Sequence, residues 1–193
     1  MRTAADNFTT TQLMSLQADM VGWIRAVDGD TERLINSGTS IPRRAAWHLR
    51  RSYHSQHENW TNDTATQFAA NLLDVNRCCS TVNIHFYSHS AVRFNYTNPM
   101  SAKLLSFIHD IAQSVNKPLI VGEFGEAVSA VTAPRPFSQS VLQYVVEECT
   151  PLSLSWVWHF PEQPTFTLSS NTSAAYVIRM QNTNMALQEV CNT

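Results

Sequence analysis

The stretch "KPLIVGEFGEA", residues 117–127, decides how this chain reads. Leu119, Ile120 and Val121 form a short continuous apolar run, and two of the three are β-branched. Such a run predicts a strand buried on both faces, as in a parallel sheet. It leads directly into Gly122, Glu123, Phe124 and Gly125. A strand of this kind gains nothing in packing from a charge. A carboxylate held at its tip between two glycines is therefore a candidate for chemistry. The glycines read as room for the close approach of a bulky ligand.

Working outward, the same alternation recurs. "RLINSG", 33–38, reads as a short strand closing on a glycine turn. "TVNIHFYS", 81–88, and "LSLSWVWHF", 152–160, are strands by their β-branched and aromatic content. Helical periodicity covers Thr9–Val27, where Leu13, Leu16, Met20, Trp23 or Ile24, and Val27 form a stripe ended by Asp28-Gly29-Asp30. It recurs over Thr64–Cys78 (Phe68, Leu72, Leu73 and Val75 inward), Ser101–Val115 (Leu104, Leu105, Ile108, Ile111 and Val115 on one face), Ser138–Cys149 and Ser173–Val190. The order is a helix, then strand and helix four times. This predicts an α/β fold with parallel strands and crossover helices, either a doubly wound sheet or a β/α barrel. No GxGxxG or Walker loop follows any strand, which argues against a nucleotide site.

Length and composition set the outer limits. The chain has 193 residues, a net charge of −2, 44% hydrophobic and 15% charged residues, the profile of one globular domain over 1–193. There is no basic excess to recommend nucleic acid or an anionic membrane surface as a partner. No apolar run reaches the length of a membrane span, about 18 residues. The N-terminus lacks a signal-peptide core, so the reading is an intracellular protein or a chain without its native start. Five Asn-x-Ser/Thr sequons, at Asn7, Asn59, Asn62, Asn95 and Asn171, lean towards a secreted parent. The cysteines, Cys78, Cys79, Cys149 and Cys191, show no zinc spacing. They read first as buried or free thiols, with a disulfide left open. No metal and no cofactor is expected.

The polar residues gather at strand ends. His85 and Tyr87 are two apart and share a face, Glu123 ends the next strand, and Trp156, Trp158 and His159 end the last. In β/α barrels the active site is built at that end from several strands. Each piece has a plainer reading: Glu123 as a solvated loop residue or helix cap, His85 and Tyr87 as core residues, the tryptophans as packing. Their placement together favours chemistry. A carboxylate, a phenol and an imidazole that orient it, and flat indoles suit glycoside hydrolysis. Glu126 is the rival carboxylate. There is no GxSxG elbow and no HExxH. His54, His57 and Asp63 in the long loop read as a wet polar surface rather than a metal cluster.

"HFYS", "KPLIVGEFG" and "LSWVWHF" resemble the sixth, seventh and eighth strands of the cellulase-like glycoside hydrolase family 5, with "RLINSGTSIPR" as the fifth strand and its loop. The resemblance covers nearly the whole chain. It implies the C-terminal half of a TIM (β/α)8 barrel and a retaining mechanism on β-linked carbohydrate. By it, Glu123 is the nucleophile, His85 and Tyr87 orient it, and Trp158 lies under the sugar, with Trp156 a weaker choice for that platform. Trp47 and Trp60, in the loop 42–62, are candidates to shape a subsite. The family's acid/base glutamate belongs to an Asn-Glu pair, and this chain contains no Asn-Glu dipeptide. Four strands alone would leave open edges. The expectation is therefore a fragment that needs the missing barrel half or self-association, with a non-catalytic carbohydrate-binding half-barrel as the alternative.

Overall fold

The computed structural model describes residues 9–52, 57–89, 103–131, 136–169 and 173–191. The chain divides into two compact units, Met1–Asn83 and Ile84–Thr193. In chain order the elements are α1 (Thr10–Asp28), α2 (Ala46–Arg51), α3 (Ala65–Val75), β1 (Val82–Tyr87), α4 (Lys103–Gln113), β2 (Leu119–Gly125), α5 (Phe137–Glu147), β3 (Leu152–Ser155) and α6 (Ala174–Cys191). The fold is mixed α/β, with a small parallel sheet in the order β1-β2-β3.

The first unit holds α1 to α3 and the start of β1. Both longer helices begin on a capping box, Thr9 with Gln12 and Thr64 with Gln67. In each, hydroxyl and amide satisfy two backbone donors that the first turn leaves open. Gly29 stops α1 in the left-handed region that favours glycine, at φ 68°. Phe68 and Leu72 of α3 are fully buried, as the periodicity predicts. The apolar stripe of α1 behaves differently: Leu16, Met20, Trp23 and Val27 are exposed, and α1 buries no residue.

"RLINSG" is not a strand. In place of a ladder it has one backbone bond, Ser80 N–H to Ile35 O at 3.0 Å, and several bonds that involve side chains. Ile35 N–H donates to Ser80 Oγ (2.6 Å), Gly38 N–H to Asn36 Oδ1 (2.9 Å), and Ser37 Oγ to Asn76 Oδ1 (2.7 Å). Asn and Ser offer the backbone these local alternatives, which compete with sheet pairing. The described strands therefore number three where the sequence predicts four. The loop after it is also more ordered than its polarity predicts, since it contains α2. No side chain of Ala45 can cap that helix. Asp63 reaches back sixteen residues and accepts from Trp47 N–H (2.8 Å). Asp63 is thus buried and structural, not part of a wet surface. His57 is exposed, and His54 lies outside the described residues.

The second unit carries the sheet. Phe86 of β1 stacks on Phe137 of α5, with ring centroids 5.6 Å apart, so Phe86 faces the helices. Leu119, Val121 and Phe124 of β2 and Leu104, Leu105 and Ile108 of α4 are buried in the same core. Each such side chain contributes roughly 1.5–3 kcal/mol of burial. The five expected helices start and end within three residues of the sequence expectation; α4 stops at Gln113, two residues short, and leaves Val115 exposed. β3 is also shorter than predicted, ending at Ser155.

Cys149 and Cys191 are joined in a disulfide, so the reading of the cysteines first as thiols gives way, for this pair, to the alternative left open; Cys78 and Cys79 form no disulfide. The bond links the residue just after α5 to the end of α6 across 42 residues. A loop of that length stabilises by about 3–4 kcal/mol in the chain-entropy account. No described helix is long and apolar enough to cross a membrane.

Candidate functional site

The site rests on an irregularity in β2. Ile120 pairs with Leu152 and Val121 with Ser153, but Phe124 pairs with Ser155. Three residues of β2 therefore span what two residues of β3 span, and the extra residue falls at Gly122-Glu123. Paired residues in a ladder point to one face. Ser155 shows which face this is, since its hydroxyl meets that of Tyr176 in α6 at 2.7 Å. Val121 and Phe124 thus both point to the helices. In a regular strand Glu123 would share the face of Val121 and be driven into that layer. The bulge turns it to the opposite face. His85 and Tyr87 already lie there, because Phe86 between them faces α5.

Tyr87 Oη donates to Glu123 Oε2 at 2.7 Å, and His85 Nδ1 lies 3.2 Å from the same oxygen. Both contacts fall on Oε2. No described residue has a hydrogen bond to Oε1. The Tyr87 phenol is pushed well above its usual pKa, first by burial, then by its hydrogen bond to Glu123 and by the charge there. It stays a donor throughout the neutral range. Both of these side chains are partly exposed, 21% for His85 and 27% for Glu123, so the carboxylate is ordered yet reachable. This arrangement presents one carboxylate oxygen while gripping the other, which suits nucleophilic attack or the stabilisation of a developing cation.

No family model matches the chain, and no curated protein matches it. The reading of the site therefore stands on geometry.

Other predicted residues land in varied places. Glu126, the rival carboxylate, is committed to α5. It accepts from Phe137 N–H and Ser138 N–H, each at 2.9 Å, and from the Ser138 hydroxyl. Pro136 at the N-cap has no side-chain acceptor, so Glu126 supplies the cap from eleven residues away, where the helix dipole also favours its charge. Replacing it with Ala should cost about 1–3 kcal/mol of stability, readable by urea denaturation. It should leave the reactivity of Glu123 intact in the folded protein. An unchanged midpoint would refute the capping role.

Trp156 N–H donates to Phe124 O at 2.8 Å, which docks the chain after β3 against the tip of β2. Its indole N–H is held by Gln163 Oε1 at 2.8 Å. The peptide from Trp156 to Val157 is cis. Because β3 ends at Ser155, strand parity no longer places Trp156 and Trp158 on a common face. Trp158 is 53% exposed. It lines a cavity of about 290 Å³ with Leu154, Leu168, Tyr176 and Met180, and none of His85, Tyr87 or Glu123 lines that cavity. Trp47 lies in the first unit, where Arg51 covers its ring with the guanidinium carbon 3.3 Å from the centroid. Trp60 is exposed, its indole N–H on Glu58.

The role expected of the glycines changes at Gly125. A Cβ there would meet Trp156 O at 2.5 Å and Tyr87 Cε1 at 3.5 Å, so the protein's own backbone fills the space expected for ligand. One neighbour of the site was missed. His89 stacks on Tyr87, with centroids 5.8 Å apart and planes 11° apart. Carrying the two-residue spacing of His85 and Tyr87 one step further would have found it.

Proposed function

We propose that this chain forms part of a (β/α)8-barrel glycoside hydrolase similar to family 5, in which Glu123 is the nucleophile of a retaining reaction on β-linked carbohydrate. The one-sided grip on the carboxylate carries the reading. Tyr87 and His85 hold Oε2 and orient the group, leaving Oε1 to attack the anomeric carbon as the glycosidic C–O bond breaks. The leaving oxygen takes a proton from a second carboxyl. Water then attacks the same carbon, loses a proton to that carboxyl and releases Glu123. The chain has no Asn-Glu dipeptide, so no residue is assigned as the second carboxyl. Trp156 and Trp158 remain the proposed sugar platforms.

The barrel form of the fold is supported by β3. Leu152 and Leu154 alternate with the helix-facing serines, so they lie on the face of Glu123, and they are 42% and 50% exposed. A barrel wall shows such residues where further strands cover it, supplied by more of the barrel or by a second copy. The Cys149–Cys191 disulfide supports an oxidising compartment, hence secretion. Asn59 and Asn62 are exposed, as glycan acceptors must be; Asn7, Asn95 and Asn171 lie outside the described residues.

The test is covalent trapping. A dinitrophenyl glycoside bearing fluorine beside the anomeric carbon needs no acid to lose its leaving group, and the fluorine slows release of the sugar. The protein should gain the mass of one fluoroglycosyl unit, mapped to Glu123. A label on Glu126, or none from gluco- and manno-configured reagents alike, would sink the proposal.

A further inference from the structure

The groove between α5 and α6 contains a charge that neither the fold nor the proposed hydrolysis uses. The Cys149–Cys191 bond joins the two helices at their C-terminal ends. Beside it runs a cavity of about 340 Å³. Its polar lining is Gln139 and Gln143 from α5 and Asn182 and Thr183 from α6, while Leu142 and Val146 supply an apolar flank. Arg179 is the one charged residue among the described residues of the lining.

Arg179 Nη1 is buried and has no hydrogen-bond partner among the described residues. A guanidinium keeps its proton at any pH the fold survives. Arg179 as a whole is half-buried, so it is this inward-turned cationic N–H that goes unmet, and in native structures such a group calls for a water, an ion or a ligand. Among the described residues no carboxylate lines the groove with it.

We infer that this groove binds a small organic carboxylate. Its two oxygens match the fork of Arg179, and the amides of Gln139 and Asn182 line the same space, whereas the Thr183 hydroxyl donates to Arg179 O at 2.9 Å. One cation among neutral groups balances one negative charge, which favours a monocarboxylate over a phosphate dianion. The flank of Leu142 and Val146 accepts a short alkyl tail. This site lies outside the Glu123 constellation, and its ligand is independent of the sugar chemistry.

The probe is butyrate, with butyramide as its neutral counterpart, titrated into the whole chain and followed through backbone amide resonances. Butyrate should give saturating shifts at Gln143, Asn182 and Thr183, and butyramide should not. Arg179→Gln should weaken binding at least about tenfold, and Arg179→Lys should weaken it less. Butyrate should raise the melting temperature of the native chain and leave that of Arg179→Gln unmoved. Equal responses to acid and amide, or an unchanged titration in Arg179→Gln, would overturn the assignment. So would an Arg179→Gln chain that, without butyrate, melts well below the native one, because Arg179 would then have a structural partner.

Discussion

Replacing Glu123 with Ala should lower the hydrolysis of dinitrophenyl β-glycosides by at least about 10³-fold, or ~4 kcal/mol of transition-state stabilisation. The substrate is chosen for its leaving group. Dinitrophenolate departs without a proton, so the measurement isolates the attacking carboxylate from any acid. The size of the loss separates the two roles open to Glu123. A residue that only braces the strand would cost stability, and its loss would spread over binding and turnover together. A nucleophile leaves an empty volume opposite the anomeric carbon. Azide at high concentration should enter that volume, restore part of the rate and yield the glycosyl azide of inverted configuration. Tyr87→Phe keeps the carboxylate but removes the 2.7 Å hydrogen bond on Oε2. Its rate loss should be far smaller and azide should not reverse it. Hydrolysis that survives Glu123→Ala, or azide rescue that gives the retained anomer, would end the nucleophile assignment.

The site was legible in the sequence because its elements obey short-range rules. His85 and Tyr87 share a face by strand parity, and both reach Glu123. Glu123 itself meets them for a reason parity alone contradicts. Only the bulge at Gly122-Glu123 brings it to their face, and the sole trace of that bulge in the sequence is a glycine inside a strand. Long-range partners left less sign. Nothing near Cys149 points to Cys191, 42 residues on. Likewise nothing in "GEA" shows that Glu126 will cap a helix eleven residues later.

Patterning misled where an apolar run and its burial part company. "RLINSG" has apolar residues suited to a strand, but its Ile35 and Gly38 N–H groups go to the side chains of Ser80 and Asn36. The stripe of α1 has helical period yet stays exposed, and so do the leucines of "LSLS" in β3. Period reports which residues share a face. It does not report what covers that face, and these exposed faces are where further strands or a second copy would add the most burial.

Gly125→Ala should be the most damaging of the small substitutions near the site. The new methyl would sit 2.5 Å from Trp156 O, a backbone atom that cannot rotate away, and 3.5 Å from the Tyr87 ring. Relief requires the segment after β3 to move off β2. The bond from Trp156 N–H to Phe124 O resists that movement. Overpacking of this kind costs about 1–3 kcal/mol, so the urea midpoint should fall. Activity should fall as well, because the strand tip that shifts is the one carrying Glu123 and facing Tyr87. Glu126→Ala offers the contrast, with a similar loss of stability and no loss of Glu123 reactivity, since the cap lies on α5 and touches neither Tyr87 nor Trp156. If Gly125→Ala leaves both stability and turnover unchanged, the close approach of Trp156 to β2 does not hold the site. If it lowers stability alone, the carboxylate is held by His85 and Tyr87 independently of the strand tip behind it.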